Sequence, residues 1–161
     1  MMIRFGILTL SDRSSRGERA DASGPALADL IRAQSWSVAE QVILPDEESA
    51  IRAALTEWAD SGRFDIILTT GGTGFALRDV TPEATRAVIQ RDAPGLAETM
   101  RSESLKKTPH AMLSRAVAGI RGRTLIVNLP GSPKGALENL QTIMPVLPHA
   151  VQLLKDDPAS E

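Results

Sequence analysis

The apolar positions of this chain change spacing several times, and those changes divide it into alternating strands and helices. Ile3 to Leu10 (I-R-F-G-I-L-T-L) is a short apolar run that predicts a first strand, ending at Ser11-Asp12-Arg13. Ser14 to Gly24 carries Ser, Arg, Gly and Asp without apolar periodicity and reads as a surface loop. Pro25 then opens a helix to about Ala33, with Leu27, Leu30 and Ile31 on one face. Val38 to Leu44 predicts a second strand closed by Pro45-Asp46. Asp46 reads as the N-cap of a helix from Glu47 to Asp60 that buries Ile51, Ala54, Leu55 and Trp58 and stops at Gly62.

The third strand, Ile66-Ile67-Leu68, runs straight into the most unusual stretch of the chain, T-T-G-G-T-G-F-A-L-R-D-V-T-P-E at 69–83. A loop needs that many glycines only where backbone must approach something closely or turn with positive φ. A helix follows from Pro82 to about Ile89, with Thr81 as its expected N-cap. Ala93-Pro94-Gly95 separates it from a helix spanning Leu96 to Lys106. Ala116–Ile120 and Arg123–Val127 read as a hairpin around Gly122. Pro133 starts a last helical region to Leu154, expected to break at Pro145 and Pro148. The organisation is one domain over residues 1–155 with a frayed tail at 156–161.

This alternation predicts a three-layer α/β fold, with a mainly parallel sheet flanked by helices and one antiparallel hairpin. In such sheets ligands bind at the carboxyl ends of the strands. Four predicted strands end in polar or glycine-containing turns: Ser11-Asp12-Arg13, Pro45-Asp46, Thr70 to Asp79, and Asn128 to Lys134. Parallel strands would bring all four to one edge. Asp46 and Asp79 would then share a crevice, and two carboxylates beside phosphate oxygens are a common Mg²⁺ environment. The glycine loop and the helix start after Asn128-Leu-Pro-Gly-Ser-Pro-Lys are both anion sites in kind, with Lys134 in the first helical turn. Taken singly, Asp46 is equally a helix cap, Asp79 a turn residue and Lys134 a solvated surface lysine.

Composition narrows the chemistry. With 161 residues the chain is long enough to bury a core, and its net charge of −2 offers no electrostatic case for nucleic acid. The absence of cysteine excludes disulfides, thiolate metal sites and a cysteine nucleophile. No apolar run is long enough to span a membrane, and the start leads directly into a strand rather than a signal peptide, so a cytoplasmic protein is expected. The glycine loop lacks the G-K-[ST] of a Walker loop, and no G-x-S-x-G elbow marks a serine hydrolase. His110 and His149 have no partner at metal-ligand spacing and read as structural. Without an obvious nucleophile, phosphoryl or nucleotidyl transfer by positioning fits best.

The motifs S-D-R at 11–13, P-D-E at 45–47, T-T-G-G-T-G-x-x-x-R-D-V-T-P-E at 69–83, L-S-R at 113–115 and N-L-P-G-S-P-K-G at 128–135 occur in that order. Together they resemble the MogA/MoaB family of molybdopterin adenylyltransferases, over about residues 3 to 154. The resemblance implies adenylyl transfer from ATP to the terminal phosphate of molybdopterin, with release of pyrophosphate and a requirement for Mg²⁺. It also implies a trimer or hexamer and a transient hand-over to the molybdate-insertion enzyme. By position in the motifs, Asp46 and Asp79 are expected to serve Mg²⁺ and the ATP phosphates. Thr70, Gly71, Gly72, Thr73, Gly74 and Thr81 are expected to hold nucleotide or pterin phosphates. Ser11, Asp12, Ser114, Asn128, Pro130, Gly131, Ser132 and Lys134 are expected around them. The alternative is a carrier that binds molybdopterin without adenylylating it.

Overall fold

The computed structural model describes residues 1–156, so Asp156 is the only part of the expected tail that it covers. Strand β1 (Arg4–Leu10) lies between β2 (Ser37–Leu44) and β3 (Ile66–Thr70), and β3 pairs with β6 (Thr124–Leu129); all three pairings are parallel. The sheet continues antiparallel through β5 (Ala118–Arg121) to the two-residue β4 (Arg91–Asp92), in the order β2-β1-β3-β6-β5-β4. The expected hairpin is β5–β6, turning at Gly122 with φ of 58°. Register brings the four parallel strand ends level: Leu10 sits opposite Leu44, Thr9 opposite Thr70, and Thr70 opposite Leu129.

Helices cover both faces. Phe5, Ile7, Ile66, Leu68, Leu125 and Val127 pack toward α2 (Ser23–Ala33), α5 (Pro94–Leu105), α6 (Pro133–Ile143) and α7 (Leu147–Leu154). Leu8, Leu10, Ile67 and Ile126 face α3 (Glu48–Asp60) and α4 (Thr81–Val88) across Ile51, Leu55, Trp58 and Ala84. The alternation of strand side chains between two apolar layers explains why these strands read as unbroken apolar runs. Each fully buried Leu or Ile contributes about 1.5–3 kcal/mol, whereas an exposed ion pair contributes about 0–1 kcal/mol. Burial therefore holds this fold. Trp58 stacks on Phe64 at 4.6 Å between ring centres and serves packing, as its sequence context suggested.

Several element boundaries differ from expectation, each for a local reason. The segment after β1 opens with a four-residue helix, α1 (Asp12–Ser15), because Ser11 Oγ accepts from the N–H of Ser14 at 3.1 Å. Helix α2 starts at Ser23, before Pro25, with Asp21 Oδ1 accepting from the N–H of Gly24 at 3.0 Å. Pro94 begins α5 instead of ending the preceding segment, since a proline in the first helical turn forfeits no hydrogen bond. The last helical region breaks once, at the 3₁₀ turn Met144–Val146, while Pro148 sits harmlessly in the first turn of α7. The 3₁₀ turn Pro109–Leu113 and the short β4 carry no periodic signal at all.

Candidate functional site

The parallel strand ends border a cleft of about 690 Å³. Of the candidate residues, Ser11, Asp46, Thr70, Gly71, Gly72, Asp79, Gly131 and Ser132 line it, together with Thr9, Ser14, Arg19 and Asp21, which had no role assigned from the sequence. A second pocket of about 310 Å³ adjoins it and shares Ser132; Thr73, Gly74, Ser114 and Pro130 border this one instead. Asp12, Thr81, Asn128 and Lys134 line neither, and the geometry gives a reason for three of them.

The glycine loop folds back through two left-handed residues, Gly71 (φ 105°) and Gly72 (φ 68°). A Cβ on Gly71 would strike the carbonyl oxygen of Leu10, and one on Gly72 would strike Thr81 Oγ1. These two positions therefore require glycine. Thr81 is the first residue of α4 rather than its cap, which is Val80. Its hydroxyl donates to the carbonyl of Gly71 at 2.9 Å, and its N–H to that of Gly72 at 3.1 Å. Thr81 is thus fully buried and braces the loop from behind. On the other side, Thr70 Oγ1 donates to the carbonyl of Pro130 at 2.7 Å, joining the glycine loop to the Pro-Gly-Ser loop.

Asn128 lies under the cleft, wholly buried. Its Nδ2 donates to Thr69 Oγ1 (3.0 Å) and Thr85 Oγ1 (2.9 Å), and its Oδ1 accepts from the N–H of Val117 at 3.1 Å. Every polar group it has is turned inward, which corrects the expectation that it lines the pocket. Lys134 is exposed and lines neither cavity. Ser132 Oγ caps α6 by accepting from the N–H of Gly135 at 3.1 Å. That places a helix N-terminus, which favours negative charge, at the cleft edge.

Asp46 does not cap α3; Glu47 occupies that position. The Asp46 carboxylate is drawn instead to Asp12. The N–H of Asp12 donates to Asp46 Oδ2, and the N–H of Asp46 donates to Asp12 Oδ1, both at 3.0 Å. Asp46 Oδ1 is left buried without a hydrogen-bond partner among the described residues. Burial, then repulsion from Asp12 and Asp79, pushes the Asp46 carboxyl above the usual carboxylate range. Asp79 enters from the glycine loop, its Oδ2 accepting from the N–H of Ala76 at 3.0 Å. Asp12 stands behind Asp46, and the Arg78 guanidinium beside it holds its carboxyl below the usual range.

Among the described residues no three acidic or histidine side chains converge as a self-sufficient metal cage. A cation at Asp46 and Asp79 would have no third acidic or histidine ligand among the described residues. Two arginines emerge as organisers that the sequence reading left without a role. Arg78 bridges Asp12 and Glu47. Arg115, the last residue of the L-S-R motif, reaches the carbonyls of Gly74 and Asp79. Its place in the L-S-R motif was the one sequence signal for Arg115, and its partners lie 41 and 36 residues away.

Residues 6–149 match the family described as "Probable molybdopterin binding domain". A molybdopterin adenylyltransferase of Helicobacter pylori (strain J99) is 44% identical over 154 residues, covering 94% of this chain and 88% of that protein. The molybdenum cofactor synthesis protein cinnamon of Drosophila melanogaster is 48% identical over 157 residues, which is 96% of this chain. This chain spans only about a quarter (26%) of that protein's length. The crystal structure of the molybdopterin biosynthesis enzyme MoaB from Thermus thermophilus superposes with a TM-score of 0.91 and 54% identity, covering 98% of this chain and 99% of that one.

Proposed function

Since the chain belongs to the MogA/MoaB family of molybdopterin-binding domains, we propose that it transfers the adenylyl group of ATP to the terminal phosphate of molybdopterin, releasing pyrophosphate, in molybdenum cofactor biosynthesis. The named function of relatives matched over most of both lengths favours this over a binding-only carrier. One observation carries the reading. Asp46, Asp79 and the Gly71-Gly72 turn converge on one cleft, with one buried Asp46 oxygen lacking a partner.

Mg²⁺ suits that donor set, because it takes one or two carboxylates and fills its shell with phosphate oxygens and water. Asp46 and Asp79 would hold it. When bound, it would neutralise charge on the phosphates during transfer. The chain's own residues do the positioning. Gly71 and Gly72 keep the cleft floor open to a phosphate, while Arg19 and the α6 N-terminus offset negative charge at its rim. The adjoining pocket around Ser114 and Pro130 gives a second substrate room beside the first. In-line attack by a phosphate oxygen needs no protein nucleophile.

The proposal includes a homotrimer, as the resemblance implies. Exposed apolar side chains support it: Leu77, at 99% exposure, with Phe75, Met112 and Leu113. Mixing the purified chain with molybdopterin, ATP and Mg²⁺ tests the activity. Adenylylated molybdopterin and pyrophosphate that vanish without Mg²⁺ are expected. Tight pterin binding with no product would establish the carrier instead.

A further inference from the structure

Arg78 stands on the exposed part of the glycine loop and ties three strand-end loops together. Its Nε and Nη2 meet both carboxylate oxygens of Asp12 at 3.0 and 2.9 Å, and Nη2 also donates to Glu47 Oε1 at 2.9 Å. Asp12 follows β1, Glu47 follows β2 and Arg78 follows β3. Exposed ion pairs are weak sources of stability, so the arrangement calls for another account. Arg78 does not line the cleft, and neither does Asp12. What they share is Asp46.

We propose that Arg78 is a positioning residue for the transfer reaction, holding Asp12 so that the Asp46 carboxylate is locked with Oδ2 occupied and Oδ1 bare against the glycine loop. The inference rests on the adenylyltransferase reading above. Its geometry is a relay of four hydrogen bonds. Arg78 grips the Asp12 carboxylate from outside with two. The same carboxylate accepts from the N–H of Asp46, and the N–H of Asp12 returns a bond to Asp46 Oδ2. Oδ1 is thereby left over, within 3.1 Å of where a Cβ on Gly72 would stand. Without the guanidinium, Asp12 would be an uncompensated carboxylate beside Asp46. It would turn to solvent, release the Asp46 N–H and leave the Asp46 side chain free to rotate. Arginine suits this position because its planar fork holds both Asp12 oxygens while also reaching Glu47, whereas a lysine would keep the charge without the fork.

The test combines kinetics with amide exchange on the full chain. Arg78→Met is expected to lower kcat by about ten- to a hundredfold, the usual cost of losing a group that orients a functional side chain. KM for molybdopterin should stay within about twofold, since no substrate contact is removed. In an Asp46→Asn background the same substitution should cost nothing further, because its effect runs through Asp46. The Asp46 amide should exchange faster in Arg78→Met, and Arg78→Lys should recover part of the lost turnover. Wild-type kcat in Arg78→Met, or an equal loss with and without Asp46→Asn, would overturn the role of Arg78. A wild-type chain that forms no product would instead overturn the adenylyltransferase reading itself.

Discussion

The guanidinium of Arg115 donates from Nη2 to the carbonyl oxygen of Asp79 at 2.7 Å, so the backbone of one site carboxylate hangs on a side chain from another part of the fold. The same guanidinium donates from Nε to the carbonyl of Gly74 at 2.7 Å and from Nη1 to Glu83 Oε2 at 2.7 Å. Both ends of the 74–79 turn are therefore fixed by one residue, while Arg78 pins the outer part of that turn to Asp12 and Glu47. Arg115 follows Ser114, which borders the second pocket. The two cavities share a brace as well as a wall.

Arg115→Met should consequently lower turnover more than stability. Misplacing a reacting group by about 1 Å costs about a hundredfold in rate. Each lost hydrogen bond contributes about 0.5–1.5 kcal/mol, so the midpoint should fall by several degrees while turnover falls further. Parallel kcat and melting measurements separate the two effects. A lower midpoint with full turnover would make the brace purely structural.

Gly74 and Gly72 should respond differently to alanine. A Cβ on Gly74 would come 2.9 Å from Asp79 Oδ2, in a backbone conformation open to any residue. Gly74→Ala should fold with a near-native midpoint and lose turnover by displacing that carboxylate. Gly72→Ala should lose both, because its φ of 68° strains alanine and its Cβ would collide with Thr81 Oγ1 beneath the loop. Melting curves of the two variants should therefore diverge. Equal midpoints would contradict the bracing role given to Thr81.

What the chain revealed in advance follows from which signals are local. The apolar runs at Ile3–Leu10 and Ile66–Leu68 announced buried parallel strands, and parallelism alone placed Asp46 and Asp79 at one edge. Hydrogen bonds between distant residues had no such signature. Asp46 looked like a cap because Asp before a helix usually is one, but the backbone N–H of Asp12, 34 residues away, takes its oxygen. Thr81 looked like a cap for the same reason and was claimed by the Gly71 carbonyl. Asn128 belonged to the right motif, yet it falls on the β6 face that packs toward α4, opposite Thr69 and against Thr85. Such competition between a local cap and a tertiary partner is decided by the fold, and sequence spacing does not carry it.

Asn128→Ala should act on stability first. It would strand the Val117 N–H and remove the shared partner of Thr69 and Thr85 in a fully buried layer. Leaving a buried donor unsatisfied costs about 1–3 kcal/mol, so the midpoint should fall by several degrees. Pterin affinity, measured below the melting range, should be nearly unchanged. A large affinity loss in a stable variant would return Asn128 to the binding surface.

Two aspartates, Asp46 and Asp65, should give opposite dependences of stability on pH. The Asp46 carboxyl is pushed up chiefly by burial, with Asp12 and Asp79 adding repulsion. The folded chain holds that proton more tightly than the unfolded one, so ionised Asp46 lowers stability as pH rises above the ordinary carboxylate value. Asp65 is the reverse case. Burial alone would raise it, but hydrogen bonds from Arg4 and Lys155 outweigh burial and hold it low. Its contribution is present at neutral pH and is lost as pH falls through its lowered value. Asp46→Asn should therefore melt at or above the wild-type midpoint at pH 7, with the gain shrinking toward about pH 4. Asp65→Asn should melt lower at pH 7, and its deficit should close only under more acidic conditions. Melting curves across that range decide the matter. If Asp46→Asn is less stable than wild type at pH 7, the paired bonds with Asp12 outweigh the cost of burial. If it is more stable yet inactive, the chain is giving up stability to keep a charged oxygen bare for a cation.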